Sequence, residues 1–333
     1  MILRSGTIRS KVVAFLLLLA AGVAAYYHYV YRARHGVAAE VAYVLPESLE
    51  VVDTPAEVRM VIGSLKSGEQ VEVTAHTRNW ARVKMPDGRT GWVDSKDLLD
   101  AQSYEAGQRL LRQLESLPAQ ASGHTSGAVN LRLEPSRDAT QLAQLAGSSK
   151  VEVFGRRLVE RPPQADQPSS EPVREAWYLI RSGPRAGWVL GRFVSLDIPG
   201  PLSVYAQSFN MVAWLVLDTV DDGGQKVPQY LAADRVGTQD VDFNHIRVFT
   251  WWVKNHHYVT AYVESGLNGY FPIRVVHSDG VPYFRLRLID KAGNKLQKVY
   301  RLSDTITRPL GTVDGWESDA MPARTTTRYR RRR

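Results

Sequence analysis

The stretch PSRDATQLAQLAGSSKVEV at residues 135–153 is echoed by PAEVRMVIGSLKSGEQVEV at 55–73, and this echo decides how the chain is read. Pro135, Leu142, Leu145, Val151, Glu152 and Val153 align with Pro55, Ile62, Leu65, Val71, Glu72 and Val73 at a constant offset of 80. Self-similarity at a fixed spacing marks a repeated structural unit. Further on, Trp80 and Val83 align with Trp177 and Ile180, and Gly91-Trp92-Val93 aligns with Gly187-Trp188-Val189. The second copy is 17 residues longer between Val153 and Trp177. Pro162, Pro163, Pro168 and Pro172 fall in that insertion, so residues 159–175 are expected as a surface loop within a hairpin. Each copy reads as VEV, then WARV or WYLI, then GWV, with turn residues between them. Short alternating strands this closely spaced predict a small barrel.

The segment Val129-Asn130-Leu131-Arg132-Leu133-Glu134-Pro135, the later Leu142-x-x-Leu145, the VEV triplet, Trp177-Tyr178-Leu179-Ile180 and Gly187-Trp188-Val189 together resemble the bacterial SH3 (SH3b) module. The resemblance spans 124–197 and, with departures, 41–99, where Glu50 and Val52 stand in place of the family's Asn and Arg. It implies two tandem extracytoplasmic barrels of a kind that bind cell-wall peptides or tether an enzyme to the wall. It also implies that Asn130 and Arg132 contact ligand, a role copy one has lost. Trp80, Trp92, Trp177 and Trp188 each join a large apolar surface to one N–H donor, which suits a small core and a ligand groove alike. The candidate ligand-binding set is therefore Asn130, Arg132, Trp177, Trp188, Trp80 and Trp92, with packing the simpler role for the tryptophans. Gly91 and Gly187 read as relief of crowding at a strand entry. Between the copies, at 100–122, Leu110, Leu111, Leu114 and Leu117 recur at helical spacing before Pro118, predicting a short packed helix that serves as a spacer.

Outward from the repeat, the N-terminal 36 residues set the expected compartment. Val12 to Ala25 is an uncharged apolar run behind Arg4, Arg9 and Lys11. A 14-residue core with Val23-Ala24-Ala25 as a cleavage site suits a secretory signal. Continued to Tyr31 the run is 20 residues, long enough to span a bilayer as a helix, with Tyr26, Tyr27, Tyr29 and Tyr31 at the interface. The longer reading is preferred: a signal anchor with its membrane span at about 12–31. The basic leader keeps the N-terminus cytoplasmic. The chain is then a single-pass protein of the inner (cytoplasmic) membrane with its bulk extracytoplasmic, or periplasmic.

Charge and composition narrow the function. The net charge is +8, but residues 1–36 hold five cations and 323–333 hold six with no acid in either, so the body carries about −3. A folded domain that reads nucleic acid through phosphates should itself be basic, and no nucleic-acid partner is expected. There is no cysteine, which excludes a thiolate nucleophile, Cys-ligated zinc, iron–sulfur clusters and disulfides. Residues 316–333, ending TTTRYRRRR, are expected to be a disordered Arg-rich tail suited to an anionic surface.

Residues 198–315 resemble no family. MVAWLVLDTV, IRVFTWWV, YVTAYV, YFPIRVV, VPYFRLRLI and KLQKVYRL read as strands, broken by DDGG, KNHH, SGLNG, HSDG and DKAGN. Phe284, Leu286 and Leu288 alternate with Tyr283, Arg285 and Arg287, the pattern of an antiparallel sheet packed on one face. His245, His256, His257 and His277 with Asp240, Asp242 and Glu264 are the residue types of a zinc site, yet no HExxH pair is present. Trp251, Trp252, Tyr258 and Tyr262 offer an aromatic platform, with sheet packing the simpler role. The expectation is an all-β protein: an N-terminal transmembrane helix, two small SH3-like barrels and a C-terminal antiparallel β domain. Its expected function is non-catalytic recognition or scaffolding in the envelope, with no catalytic residue, metal or cofactor, and with a wall peptide or an envelope protein as partner. The rivals are an envelope hydrolase with a metal or carboxylate site in the C-terminal third and a structural subunit docked on a membrane protein.

Overall fold

The computed structural model describes Tyr26 and residues 40–161, 173–206, 210–237 and 239–322. The chain is mostly antiparallel β structure in three seven-stranded sheets, in keeping with the period-two patterning. It divides into two compact units, Met1–Ala101 and Gln102–Arg333. The expected membrane span, the bulk of the Pro-rich insertion and the Arg-rich end lie outside the described residues. Among the described residues no helix is long and apolar enough to cross a membrane.

In the first unit lie β1 (Glu40–Val44), β2 (Ser48–Val52), β3 (Val61–Lys66), β4 (Gln70–Thr77), β5 (Trp80–Lys84), β6 (Thr90–Asp94) and β7 (Leu98–Asp100). They pair in the order β3-β2-β6-β5-β4-β1-β7. Alternate residues of these strands, among them Val51, Leu65, Val71, Val73, Ala81, Val83 and Val93, form one buried core. Gly91 is required where β6 crosses β2: a Cβ there would lie 2.5 Å from Val51 Cγ1 and 2.8 Å from the Val52 carbonyl.

The second unit opens with α1 (Ala101–Glu115), whose Leu110, Leu111 and Leu114 pack with Phe154, Leu179 and Ala186. The helix is thus part of a core rather than a plain spacer. Then come β8 (Ala121–Thr125), β9 (Val129–Arg132), β10 (Gln141–Leu145), β11 (Lys150–Arg161), β12 (Val173–Ser182), β13 (Arg185–Leu190) and β14 (Val194–Leu196). Their order, β10-β9-β13-β12-β11-β8-β14, is that of the first sheet strand for strand. Gly187 repeats the role of Gly91, its Cβ position lying 2.7 Å from Leu131 Cγ and 2.8 Å from the Arg132 carbonyl. The ladder of β11 and β12 runs out to Arg161 and Val173, further into the insertion than the expected loop limits of 159 and 175. Pro162 and Pro172, which follow and precede these two ends in the sequence, carry no N–H to donate to a ladder.

After α2 (Gly200–Ala206) comes a sequential meander: β15 (Asn210–Asp222), β16 (Gln225–Arg235), β17 (Phe243–Trp252), β18 (His257–Ser278), β19 (Val281–Ile289), β20 (Lys295–Ser303) and β21 (Ile306–Asp314). The DDGG turn carries positive φ at Gly223 and Gly224, as a two-residue type I′ hairpin needs. Residues 243–250 of β17 are all buried. One side joins the main core with Ile246 and Val248, and the other meets α2, where the Tyr205 and Phe249 rings lie 4.5 Å apart.

Two expectations are corrected here. SGLNG at 265–269 does not end a strand: β18 runs through it, pairing with β17 in its first half and with β19 in its second. Gly266 at φ +74° and the register shifts absorb the bend that a hairpin turn was expected to make. Residues 316–322 also belong to the fold rather than to a disordered tail. The Trp316 indole donates to the Leu288 carbonyl, while Arg285 donates to the carbonyls of Ser318, Asp319 and Ala320. The wet face of β19 is where this segment lies, which explains why arginine occupies it.

The second barrel is joined to the meander by buried polar contacts. Gln120, fully buried, receives the Ile273 N–H at 2.7 Å and donates to the Ile273 carbonyl at 3.1 Å. Its own carbonyl accepts from Trp214 N–H. Arg156 donates to the Val241 carbonyl and lies 3.8 Å from Asp242. Burial pushes the Asp242 carboxyl up to about 6, even with a hydrogen bond from Phe271 N–H and the Arg156 charge nearby.

Candidate functional site

Alternation along β9 sends Val129 and Leu131 into the core and leaves Asn130 and Arg132 half-exposed on the outer face. β10 is their neighbour, so Gln144 stands opposite Asn130 and its amide donates to Asn130 Oδ1 at 3.4 Å. Arg132 is held from the other side, Nη1 donating to the Ala139 carbonyl at 2.6 Å. Across the sheet, Trp177 on β12 pairs with Leu190 at the end of β13. Leu190 leads into a 3-10 turn, Gly191–Phe193, which presents Arg192.

These elements enclose a groove of about 320 Å³ on the second barrel, lined by Asn130, Arg132, Gln144, Trp177, Leu190 and Arg192 together with Arg137 and Phe193. That is the lower end of the size range for small-ligand clefts. Trp177 is only 3 % exposed, so it serves as floor and core at once. Arg137 is fixed by Glu175, with Nε at 3.0 Å and Nη2 at 2.6 Å from the carboxylate. Arg192 lies with its guanidinium 5.0 Å from the Phe193 ring and has no acidic partner among the described residues.

Three of the six residues expected to bind ligand, Asn130, Arg132 and Trp177, therefore share one groove. The other three do not join them. Trp188 pairs with Arg132 in the ladder but is half-buried outside the groove lining, beneath Arg157. In the first barrel Trp80 lies 5.2 Å from the Arg59 guanidinium, and Trp92 is half-buried opposite Val52. Arg137, Gln144, Leu190, Arg192 and Phe193 were not among the expected residues. The available signal was the comparison of repeats beyond GWV, where Asp94-Ser95-Lys96-Asp97 of copy one becomes Leu190-Gly191-Arg192-Phe193 of copy two.

The titratable residues of the C-terminal sheet are distributed among separate contacts. Asp234 receives both His245 and a two-pronged Arg247, all buried. Asp222 receives the Trp251 indole and His256, and His277 lies 2.9 Å from the Leu217 carbonyl. Glu264 receives Lys298, Tyr262 and Tyr300; burial pushes its carboxyl up, but these three donors outweigh it and hold the group below its ordinary value. Burial pushes the Tyr262 hydroxyl up to about 12. Among the described residues, no three His, Asp or Glu are placed to hold a metal ion together. Nor do the expected platform aromatics share one surface: Trp251 packs edge-on against Tyr258, while Tyr262 packs against Tyr300.

Residues 55–99 match the family described as Bacterial SH3 domain. No curated protein matches the chain. Among solved structures, it is similar to NlpC2 and NlpC1 from Trichomonas vaginalis, each at 9 % identity and TM-score 0.18, covering 68 % of this chain and 97 % and 93 % of those chains. It is also similar to an NlpC/P60 family protein from Bacillus cereus at 11 % identity and TM-score 0.22, covering 81 % of this chain and 98 % of that one. At these TM-scores the likeness says nothing about fold or activity.

Proposed function

We propose that this protein is a non-catalytic recognition or scaffold protein of the cell envelope, which binds cell-wall peptide through the groove of its second barrel. The observation that carries the reading is the convergence of Asn130, Arg132 and Trp177 with Gln144 in one cleft. Amide side chains pair with peptide N–H and C=O groups, and a tryptophan floor supplies apolar contact. The Bacterial SH3 domain match at 55–99 supports an envelope role, and the common strand order supports extending it to the second barrel. Residues 12–31 act as the membrane anchor in this reading, the barrels and the meander lie on the periplasmic side, and the Arg-rich end can rest on an anionic surface.

The test is sedimentation of the full chain, in mild detergent, with purified cell wall at 1 M salt, where the Debye length of about 3 Å suppresses the basic ends. The wild type should co-sediment. The double variant Asn130→Glu, Arg132→Val, which installs the residues of copy one, should stay in the supernatant with an unchanged melting curve. Equal sedimentation of the two proteins would refute the groove as the binding site.

A further inference from the structure

The two barrels have the same strand order, and the ladder pairs that join their second and sixth strands correspond, Trp92 with Val52 and Trp188 with Arg132. Each sixth strand is followed by a 3-10 turn, Ser95–Asp97 in one and Gly191–Phe193 in the other. Residue-by-residue comparison of the two faces is therefore defined by structure. Where the second barrel has Asn130, Arg132 and Arg137, the first has Glu50, Val52 and Glu57. The first barrel also keeps a cation at the place of Arg192, namely Lys96, but Asp94 neutralises it. The Lys96 ammonium lies 2.7 Å from Asp94 Oδ2, and the same carboxylate caps the turn through Lys96 N–H. In the second barrel that capping position is Leu190, which makes no side-chain cap.

From this exchange we infer that the groove of the second barrel is selective for a carboxylate on its ligand, received by Arg192, and that the equivalent face of the first barrel rejects it. The inference rests on the peptide reading above and names the group that is recognised. Replacement of Asp94 by Leu190 does two things together: it releases the guanidinium from an internal ion pair and places an apolar wall beside it. Arg192 is exposed at the rim of the groove, where its guanidinium is open to a carboxylate, and a charge-assisted hydrogen bond of that kind is about twice as strong as a neutral one. Arg132 adds to the positive field, while Arg137 contributes less because Glu175 balances it. A peptide carboxylate is favoured over a phosphate because the remaining polar lining, Asn130 and Gln144, is amide and complements a peptide backbone. On the first barrel, the exposed Glu50 and Glu57 stand at the places of Asn130 and Arg137 and meet such a ligand with like charge.

The experiment uses the full chain in detergent and two soluble probes: a wall stem peptide with its free carboxylates, and the same peptide with every carboxylate converted to carboxamide. The wild type should bind the acid form about ten-fold or more tightly than the amide form, the range expected for one charge-assisted contact. Arg192→Gln should abolish this preference by weakening the acid form alone. Leu190→Asp, which rebuilds the ion pair of the first barrel, should do the same with Arg192 still present, and Lys96→Gln should change nothing. Equal affinity of wild type for both probes, a preserved preference in Arg192→Gln, or full displacement of the peptide by glycerol phosphate would overturn the inference. Wild-type failure to bind either probe would instead overturn the peptide reading beneath it.

Discussion

Replacement of Gln120 by Met tests how the second barrel is joined to the meander. The register of β18 and β19 shifts between Tyr270 and Arg274, so the backbone of Ile273 makes no ladder bonds to β19. The Gln120 side chain takes their place, accepting from Ile273 N–H and donating to its carbonyl, and also donating to the Pro118 carbonyl at 2.8 Å. Methionine has a similar shape and leaves the Gln120 carbonyl free to keep its bond to Trp214, so the change isolates the amide. It strands two polar groups of a fully buried residue. At about 1–3 kcal/mol for each unsatisfied buried group, with some relief by relaxation, the expected loss is about 3 kcal/mol. That is a large share of the stability of an ordinary domain. Urea unfolding of the full chain in detergent should show the transition of the second unit moving to lower denaturant, and the Ile273 amide should exchange its hydrogen faster by at least ten-fold. An Ile273 amide as protected in Gln120→Met as in wild type would refute the account of the joint.

Three further outcomes follow from the same geometry. Asp242 has a folded-state value raised from 3.8 to about 6, so the folded protein holds an extra proton across that window. Stability should be fullest below it and fall as pH rises through about 6, and melting scans should show that this slope is lost in Asp242→Asn. Trp177→Ala, which removes a ring 3 % exposed, should cost about 3–5 kcal/mol in unfolding, whereas Trp188→Ala, half-buried under Arg157, should cost clearly less. Gly91→Ala and Gly187→Ala should each destabilise their own barrel by about 1–3 kcal/mol because a carbonyl oxygen stands 2.8 Å from the new Cβ, while Gly127→Ala, with open space around it, should leave the melting temperature unchanged.

The sequence alone determined those features that depend on local pattern. Period-two alternation set the strands, the offset of 80 set the repeat, and the glycine of each GWV marked crowding at a strand entry, where a Cβ would stand 2.8 Å from a carbonyl oxygen in both copies. Asn130 and Arg132 were named as ligand contacts by the family resemblance alone, and the alternation along β9 then places both on its outer face. Other features depended on partners far along the chain. Nothing local distinguishes SGLNG in a continuous bent strand from SGLNG in a turn, since glycine permits both and only pairing with β17 and β19 decides. Trp316 to Pro322 reads as polar tail, yet Arg285 binds its carbonyls. Gln120 looks like an ordinary linker residue until Ile273, 153 positions away, presents an unpaired backbone to it. Arg192 and Lys96 are both simply cations in sequence. Which of them is held in an ion pair among the described residues was decided by the side chain that the fold places beside each, Leu190 in one barrel and Asp94 in the other, because pairing depends on what lies within a few ångströms rather than on charge type.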